Sequence, residues 1–200
     1  MPDITLYFAR ASRGFTPRWL LEELGVPYQV HPIDLRRGEQ KHADYLRINP
    51  MGKVPALTDG AVRVAENPAI CIYLADRYGA GTLAPAIDGD RRGDYLRWMV
   101  FATAVFEPAV YGAGDADPVA ASGRGWGTKQ RVIEVMAEAL EAGPWLLSEH
   151  FTAADVMLGS VLSVTLFNGR LPEAPAALTA YNARLSARPA YQRAAQATWG

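Results

Sequence analysis

The sequence is poor in the residue types that build covalent or metal cross-links. It has one cysteine, Cys71, and three histidines in 200 residues. A single thiol excludes an intrachain disulfide and any cysteine cluster for a metal. His31, His42 and His150 are too scattered to form a ligand set, so no metal is expected. Charge of one sign is also lacking: 20 Lys and Arg stand against 21 Asp and Glu, a net charge of −1. No basic excess is present to hold nucleic acid or an anionic membrane. No apolar run approaches the ~20 residues that cross a bilayer. Met1-Pro2-Asp3 leads straight into a strand-like run without the charged and apolar segments of a secretory signal. A reducing, cytoplasmic location is therefore expected. Five glycines at 112, 114, 123, 125 and 127 do not make a phosphate loop, because no strand precedes them and no Gly-Lys-Ser/Thr follows.

What is present is a change of pattern near residue 80. Ile4–Phe8 (ITLYF) is rich in β-branched and aromatic residues and predicts a buried strand. A helix follows through Trp19, Leu20, Leu21 and Leu24, and Gly25 stops it. Residues 28–33 (YQVHPI) predict a second strand, with Pro32 marking an edge or an end. Asp59-Gly60 between two apolar runs predicts a hairpin. Asn67 as N-cap and Pro68 as first helical residue predict a helix that runs to Gly79. This β-α-β, irregular stretch, β-β-α order is that of a thioredoxin-like domain with a mixed four-stranded sheet. Residues 80–92, rich in Gly, Pro and Ala, read as a linker. Only helical spacing follows, which divides the chain into 1–79, a linker 80–92, and an all-helical domain 93–200. In that domain helices are expected over 95–110, 129–142, 176–186 and 190–197, with a loop over 111–128. Phe151-Thr152-Ala153-Ala154-Asp155-Val156 is a capping box with a hydrophobic staple, opening an apolar helix that should be the buried core.

Three segments carry a resemblance to a known family. They are LYFARASRGFTPRWLLEELGVPY (6–28), INPMGKVPAL (48–57) followed by AENPAICIYLADRYG (65–79), and FTAADVMLG (151–159). In this order and spacing the chain resembles the glutathione transferases, and among them the serine-type, theta- or delta-like bacterial enzymes. The resemblance runs through nearly the whole chain. It implies a glutathione-binding thioredoxin-like domain, then a helical bundle that shapes a second-substrate pocket. It also implies a cytosolic homodimer. The Ser-Cys-rich signature of the maleylacetoacetate isomerase branch is absent from ASRGFTPR (11–18).

Glutathione chemistry needs an ionised thiol, whose ordinary pKa is ~8.5. Lowering it by about two units requires roughly 2.7 kcal/mol in favour of the thiolate. A hydroxyl donated to a thiolate supplies about 1.5–3 kcal/mol, and a helix N-terminus about 0.3–1 kcal/mol. The resemblance assigns this hydroxyl to Ser12, at the mouth of the first helix. Tyr7, at the end of the first strand, is the alternative, because some classes use a tyrosine there. As a packed strand aromatic it is the weaker candidate. No cysteine precedes Cys71, and buried packing is the expected role of Cys71.

The same resemblance places Val54 before a cis Pro55, so that its main chain meets the cysteinyl part of glutathione like an added strand. It sets Lys53 and Gln40 near the glycyl carboxylate, with Gln40 where relatives often carry histidine. Glu66 would accept from the γ-glutamyl amine. Asn67 and the free N–H groups of its helix would donate to the γ-glutamyl carboxylate. Asn67 stands where the family usually has serine. Phe15, Trp98, Met99, Phe101, Phe106 and Tyr111 are the apolar candidates for the pocket of a hydrophobic electrophile. Conjugation is the expected reaction, with glutathione-dependent peroxide reduction as a variant. The alternative is a non-catalytic ligand-binding or interaction protein on the same fold.

Overall fold

The computed structural model describes residues 2–112 and 123–200. These fall into two compact units, one of Met1–Ala80 with Arg188–Gly200 and one of Gly81–Ala187.

The first unit is built on four strands: β1 (Ile4–Phe8), β2 (Gln29–Pro32), β3 (Ala56–Asp59) and β4 (Val62–Ala65). Their order is β2-β1-β3-β4, with β1 and β2 parallel and the other pairs antiparallel. Pro32 ends the edge strand β2, where a missing N–H costs no ladder bond. Along β1 alternate residues are buried. Ile4, Leu6 and Phe8 take one face, and Tyr7 the other, against Ile33, Tyr45, Ala56, Ile48 and Val54. Helix α1 (Phe15–Leu24) buries Trp19, Leu20 and Leu21, and ends on Gly25 in the left-handed conformation. The irregular stretch contains a 3-10 turn (Glu39–Lys41) and a short helix, α2 (Ala43–Leu46), neither of which is legible in the sequence.

Helix α3 (Asn67–Tyr78) corrects an expectation by one position. Its N-cap is Glu66, at φ 68° and ψ 124°, and Asn67 is already helical. The hairpin at Asp59 is tied to the far end of α3. Tyr73 and Tyr78 donate hydroxyls to Asp59 Oδ2 at 2.8 and 2.5 Å, and Arg77 Nε lies 3.1 Å away. Burial raises the Asp59 pKa, but these partners outweigh it and hold the carboxyl below its ordinary range.

In the second unit the expected helix 95–110 spans α4 (Arg92–Phe101), a π-helical turn (Ala102–Phe106) and α5 (Glu107–Tyr111). Then come α6 (Lys129–Ala139), α7 (Ala153–Phe167) and α8 (Ala176–Ser186). Within the loop expected over 111–128, residues 113–122 lie outside those described. The capping box of α7 is formed as expected: Asp155 Oδ2 accepts from Thr152 N at 2.8 Å and Thr152 Oγ1 from Ala154 N at 3.3 Å. Eleven of the fifteen residues of α7 are buried, which makes it the core helix of this unit.

The last helix, α9 (Pro189–Trp199), differs from its expected place among the helices of 93–200 and packs with the first unit. Tyr191, Ala194 and Thr198 fall at helical spacing on one stripe. That face meets α1, with the Tyr191 ring 5.1 Å from Phe15 and 4.9 Å from Trp19. Arg188 makes two bonds to Glu23, at 2.6 and 2.8 Å, and Glu23 also accepts from Trp19 Nε1 at 2.9 Å.

Candidate functional site

The strand register brings three separate loops to one end of the sheet. Tyr7 stands opposite Ala56, and Ala56 opposite Ala65. The chain leaving β1, the chain entering β3 and the chain leaving β4 are therefore neighbours. They carry Ser12, Lys53-Val54-Pro55 and Glu66-Asn67 respectively. Phe8 pairs with Pro32, so the stretch with Gln40 sets out from that end too.

The first loop turns through residues 9–14 before α1. Ser12 is half-buried, three residues ahead of the first helical residue. Its Oγ donates to the Ala9 carbonyl at 2.6 Å and accepts from Gly14 N at 3.1 Å. The carbonyl can only accept, so the single hydroxyl proton points at Ala9. Gly14 is required by close approach: a Cβ there would lie 2.6 Å from Phe8 Cδ2. Ala11 sits at φ 50°, rare for a residue with a side chain, and its N–H donates to the Thr198 carbonyl at 3.1 Å.

The second loop ends in a cis Val54-Pro55 peptide, the geometry expected for it. The carbonyl before Val54, that of Lys53, accepts from Asn49 Nδ2 at 2.8 Å and from Tyr45 Oη at 2.5 Å. Burial pushes the Tyr45 phenol up to about 12, so it remains a neutral donor. Gly52, at φ 59°, lets the Gln40 segment close on this loop, since a Cβ would fall 2.7 Å from the Gln40 carbonyl oxygen. The Gln40 main chain thus approaches Gly52, the residue before Lys53. Its Oε1 is buried with no hydrogen-bond partner among the described residues. The Lys53 side chain is exposed.

The third loop holds Glu66 exposed and in a strained backbone conformation at the start of α3. The first N–H groups of a helix have no partner within it, here those of Asn67 and Ala69. Asn67 is buried. Its Nδ2 donates to the Arg13 carbonyl at 3.1 Å, and its Oδ1 is a buried acceptor with no partner among the described residues. The asparagine therefore commits a donor to the Ser12 turn and leaves an acceptor over.

The remaining assigned residues are placed as follows. Tyr7 packs edge-on to Tyr45 and tilted to His31, at 5.9 and 5.0 Å, on the face away from Phe8. Phe15 is 2% exposed, enclosed by Trp19, Tyr191 and Trp199. Trp98, Met99, Phe101 and Phe106 are buried. Of the six pocket candidates Tyr111 alone is exposed, with the Arg170 guanidinium 5.5 Å from its ring centre. Sequence reasoning missed Ala11, Arg13, Tyr45, Asn49 and Thr198. Most of them act through the main chain, which leaves no side-chain signal. No group of three or more His, Cys, Asp or Glu that could hold a metal occurs among the described residues.

Comparison with known proteins converges on one family. The model for "Glutathione S-transferase, N-terminal domain" matches residues 2–76. Glutathione S-transferase F10 of Arabidopsis thaliana is 31% identical over 157 residues, 74% of this chain and 70% of that protein. The disulfide-bond oxidoreductase YfcG of Escherichia coli (strain K12) is 29% identical over 167 residues, 76% of each. Among solved structures, a glutathione transferase from Methylococcus capsulatus str. Bath superposes with a TM-score of 0.80 at 30% identity, covering 98% of both chains. A sphingomonad glutathione S-transferase complexed with glutathione gives 0.77 at 28% identity, covering 97% of this chain and 98% of that one.

Proposed function

The chain belongs to the glutathione S-transferase family, and from that premise we propose that it is a serine-type, theta- or delta-like transferase. In this reading it ionises bound glutathione and joins the sulfur to a hydrophobic electrophile. The observation that supports this most is the convergence of the Ser12 turn, the Val54-Pro55 edge and the start of α3 at one end of the sheet. These would hold the thiol, the cysteinyl main chain and the γ-glutamyl group.

Each group has a separate task. Ser12 turns its hydroxyl from the Ala9 carbonyl to the sulfur and favours the thiolate. Val54 offers its main chain, which the bonded Lys53 carbonyl keeps in place. Lys53 and Gln40 face the glycyl carboxylate, and the Gln40 amide gives a neutral donor there. Glu66 meets the γ-glutamyl amine, and the N–H groups of Asn67 and Ala69 meet its carboxylate. With a halogenated aromatic, the sulfur–carbon bond forms as halide leaves with the bonding pair. With a peroxide, the same thiolate attacks one oxygen as the O–O bond breaks and an alcohol leaves, and a second glutathione converts the resulting sulfenic acid to glutathione disulfide and water. The protein acts as a cytoplasmic homodimer, and Tyr111 is the most exposed of the apolar candidates for contact with the electrophile.

A second reading draws on the Ser12–Ala9 bond. If the hydroxyl keeps that bond when glutathione is present, the chain binds the tripeptide without activating it and works as a ligand-binding protein. The similarity to a disulfide-bond oxidoreductase adds no thiol of the chain's own to the chemistry, because Cys71 is fully buried and burial pushes its thiol far above the ordinary range. Retention on immobilised glutathione followed by turnover of a nitroaromatic chloride decides between the readings. Retention with turnover supports the transferase. Retention without turnover supports the binding protein.

A further inference from the structure

We propose that the last turn of α9 is a positioning element for Ser12, acting through the main-chain carbonyl of Thr198. The inference rests on the reading of Ser12 as the thiolate-stabilising hydroxyl and adds the part of the chain that aims it.

Ala11, the residue before Ser12, lies in the left-handed region at φ 50°. A residue with a side chain is disfavoured there and stays only where its surroundings hold it. The holding contact is the bond from Ala11 N to Thr198 O, 3.1 Å long. Thr198 O belongs to the last carbonyls of α9, which have no acceptor duty inside the helix. They also carry the negative end of its dipole, so the carbonyl is a ready partner for a stray N–H.

The helix supplying this carbonyl is itself fixed to α1. Thr198 is fully buried and its Oγ1 donates to Ala194 O at 2.7 Å. The Trp199 ring lies 4.4 Å from that of Phe15, the first residue of α1. Glu23 is 8% exposed and receives both Arg188 and Trp19, and Arg193 Nε lies 2.7 Å from Glu22. The turn of residues 9–14 is therefore gripped from outside at two points, by Thr198 at Ala11 and by Asn67 at Arg13. Ser12 stands between them. Releasing the Thr198 grip leaves glutathione's binding groups on the second and third loops intact while the hydroxyl loses its aim.

The test compares the full chain with a chain ending at Ala197, and with Thr198→Ala, Trp199→Ala and Ser12→Ala in the full chain. Three quantities are read: the glutathione dissociation constant, the pKa of the bound thiol from thiolate absorbance, and kcat with a nitroaromatic chloride. The shortened chain is expected to bind glutathione within about threefold of the full chain, to show the thiol pKa raised by about one unit, and to lose kcat about tenfold. Thr198→Ala keeps the carbonyl but loses the Oγ1 bond to Ala194, and both it and Trp199→Ala are expected to lose less than the shortened chain. Unchanged thiol pKa and kcat in the shortened chain overturn the proposal, as does Thr198→Ala matching its loss. If the shortened chain does not fold, amide hydrogen exchange in the full chain decides. The Ala11 N–H should exchange far more slowly than that of Arg10, and equal rates overturn the proposal. A Ser12→Ala chain with an unchanged thiol pKa defeats the reading of Ser12 and this inference with it. A raised pKa in Ser12→Ala but not in the shortened chain defeats the inference alone.

Discussion

Asn67 and Arg13 are 54 residues apart in sequence, yet the Asn67 amide donates to the Arg13 carbonyl at 3.1 Å. The bond joins the start of α3 to the turn that carries Ser12, so one side chain serves two loops. It also fixes the amide: the nitrogen faces a carbonyl, which leaves Oδ1 as the atom without a partner among the described residues.

Replacing that side chain should separate binding from support. Asn67→Ala removes the bond to Arg13 and should raise the glutathione KM by about fivefold to tenfold, the weight of one lost hydrogen bond. Asn67→Asp puts a carboxylate beside both a carbonyl and the γ-glutamyl carboxylate, and should cost more than alanine. Steady-state kinetics at varied glutathione checks the order. Aspartate equal to or better than asparagine would contradict it.

The hydroxyl and the phenol are separable by turnover. Ser12→Ala should lower kcat/KM for conjugation by more than about tenfold, the loss of one charge-assisted bond. Tyr7→Phe should stay within about threefold, because the Tyr7 ring packs under the 33–54 segment, on the sheet face opposite Phe8. Initial rates for the two variants side by side check this.

Much of this site can be read in the sequence, and the remainder is hidden for a physical reason. The hairpin at Asp59-Gly60, the capping box at Thr152 and the apolar run of α7 are local, so short-range chemistry specifies them. The start of α3 is displaced by one residue because Glu66 takes the cap in a strained conformation, a state that no propensity favours. The helix α9 is amphipathic, and periodicity identifies it as a helix without naming the surface it covers. Its partner is α1, found through Tyr191 and Trp199 on Phe15. Phe15 shows the same limit from the other side: an aromatic near a binding loop reads as pocket wall or as core, and here it is core.

Asp155 gives a stability prediction with a pH signature. It is fully buried and accepts from Thr152 N, Leu146 N and the Tyr181 hydroxyl. Asp155→Ala strands two backbone N–H groups and a phenol and should cost about 3 kcal/mol or more in urea unfolding. Burial raises the Asp155 pKa from 3.8 to about 6, against the opposing bonds from Leu146, Thr152 and Tyr181. The folded chain then binds this proton more tightly than the unfolded chain. The associated stability is complete below 3.8 and is lost as pH rises to about 6. Wild type should therefore lose stability relative to Asp155→Asn as pH rises through that window, and the difference should level off above it.

Cys71 should be silent in the native state. It is fully buried in α3, and burial raises its thiol pKa far above the ordinary range. A thiol-specific reagent should label it only after denaturation, and Cys71→Ala should keep the glutathione KM. Rapid labelling of the folded chain would contradict this.

The most direct test is an ultraviolet titration of glutathione's thiolate bound to wild type, Ser12→Ala and Tyr7→Phe chains. The account predicts a bound thiol pKa about two units below that of an ordinary thiol in wild type and in Tyr7→Phe, and a return towards the ordinary value in Ser12→Ala. A depressed pKa that survives in Ser12→Ala but disappears in Tyr7→Phe would contradict it.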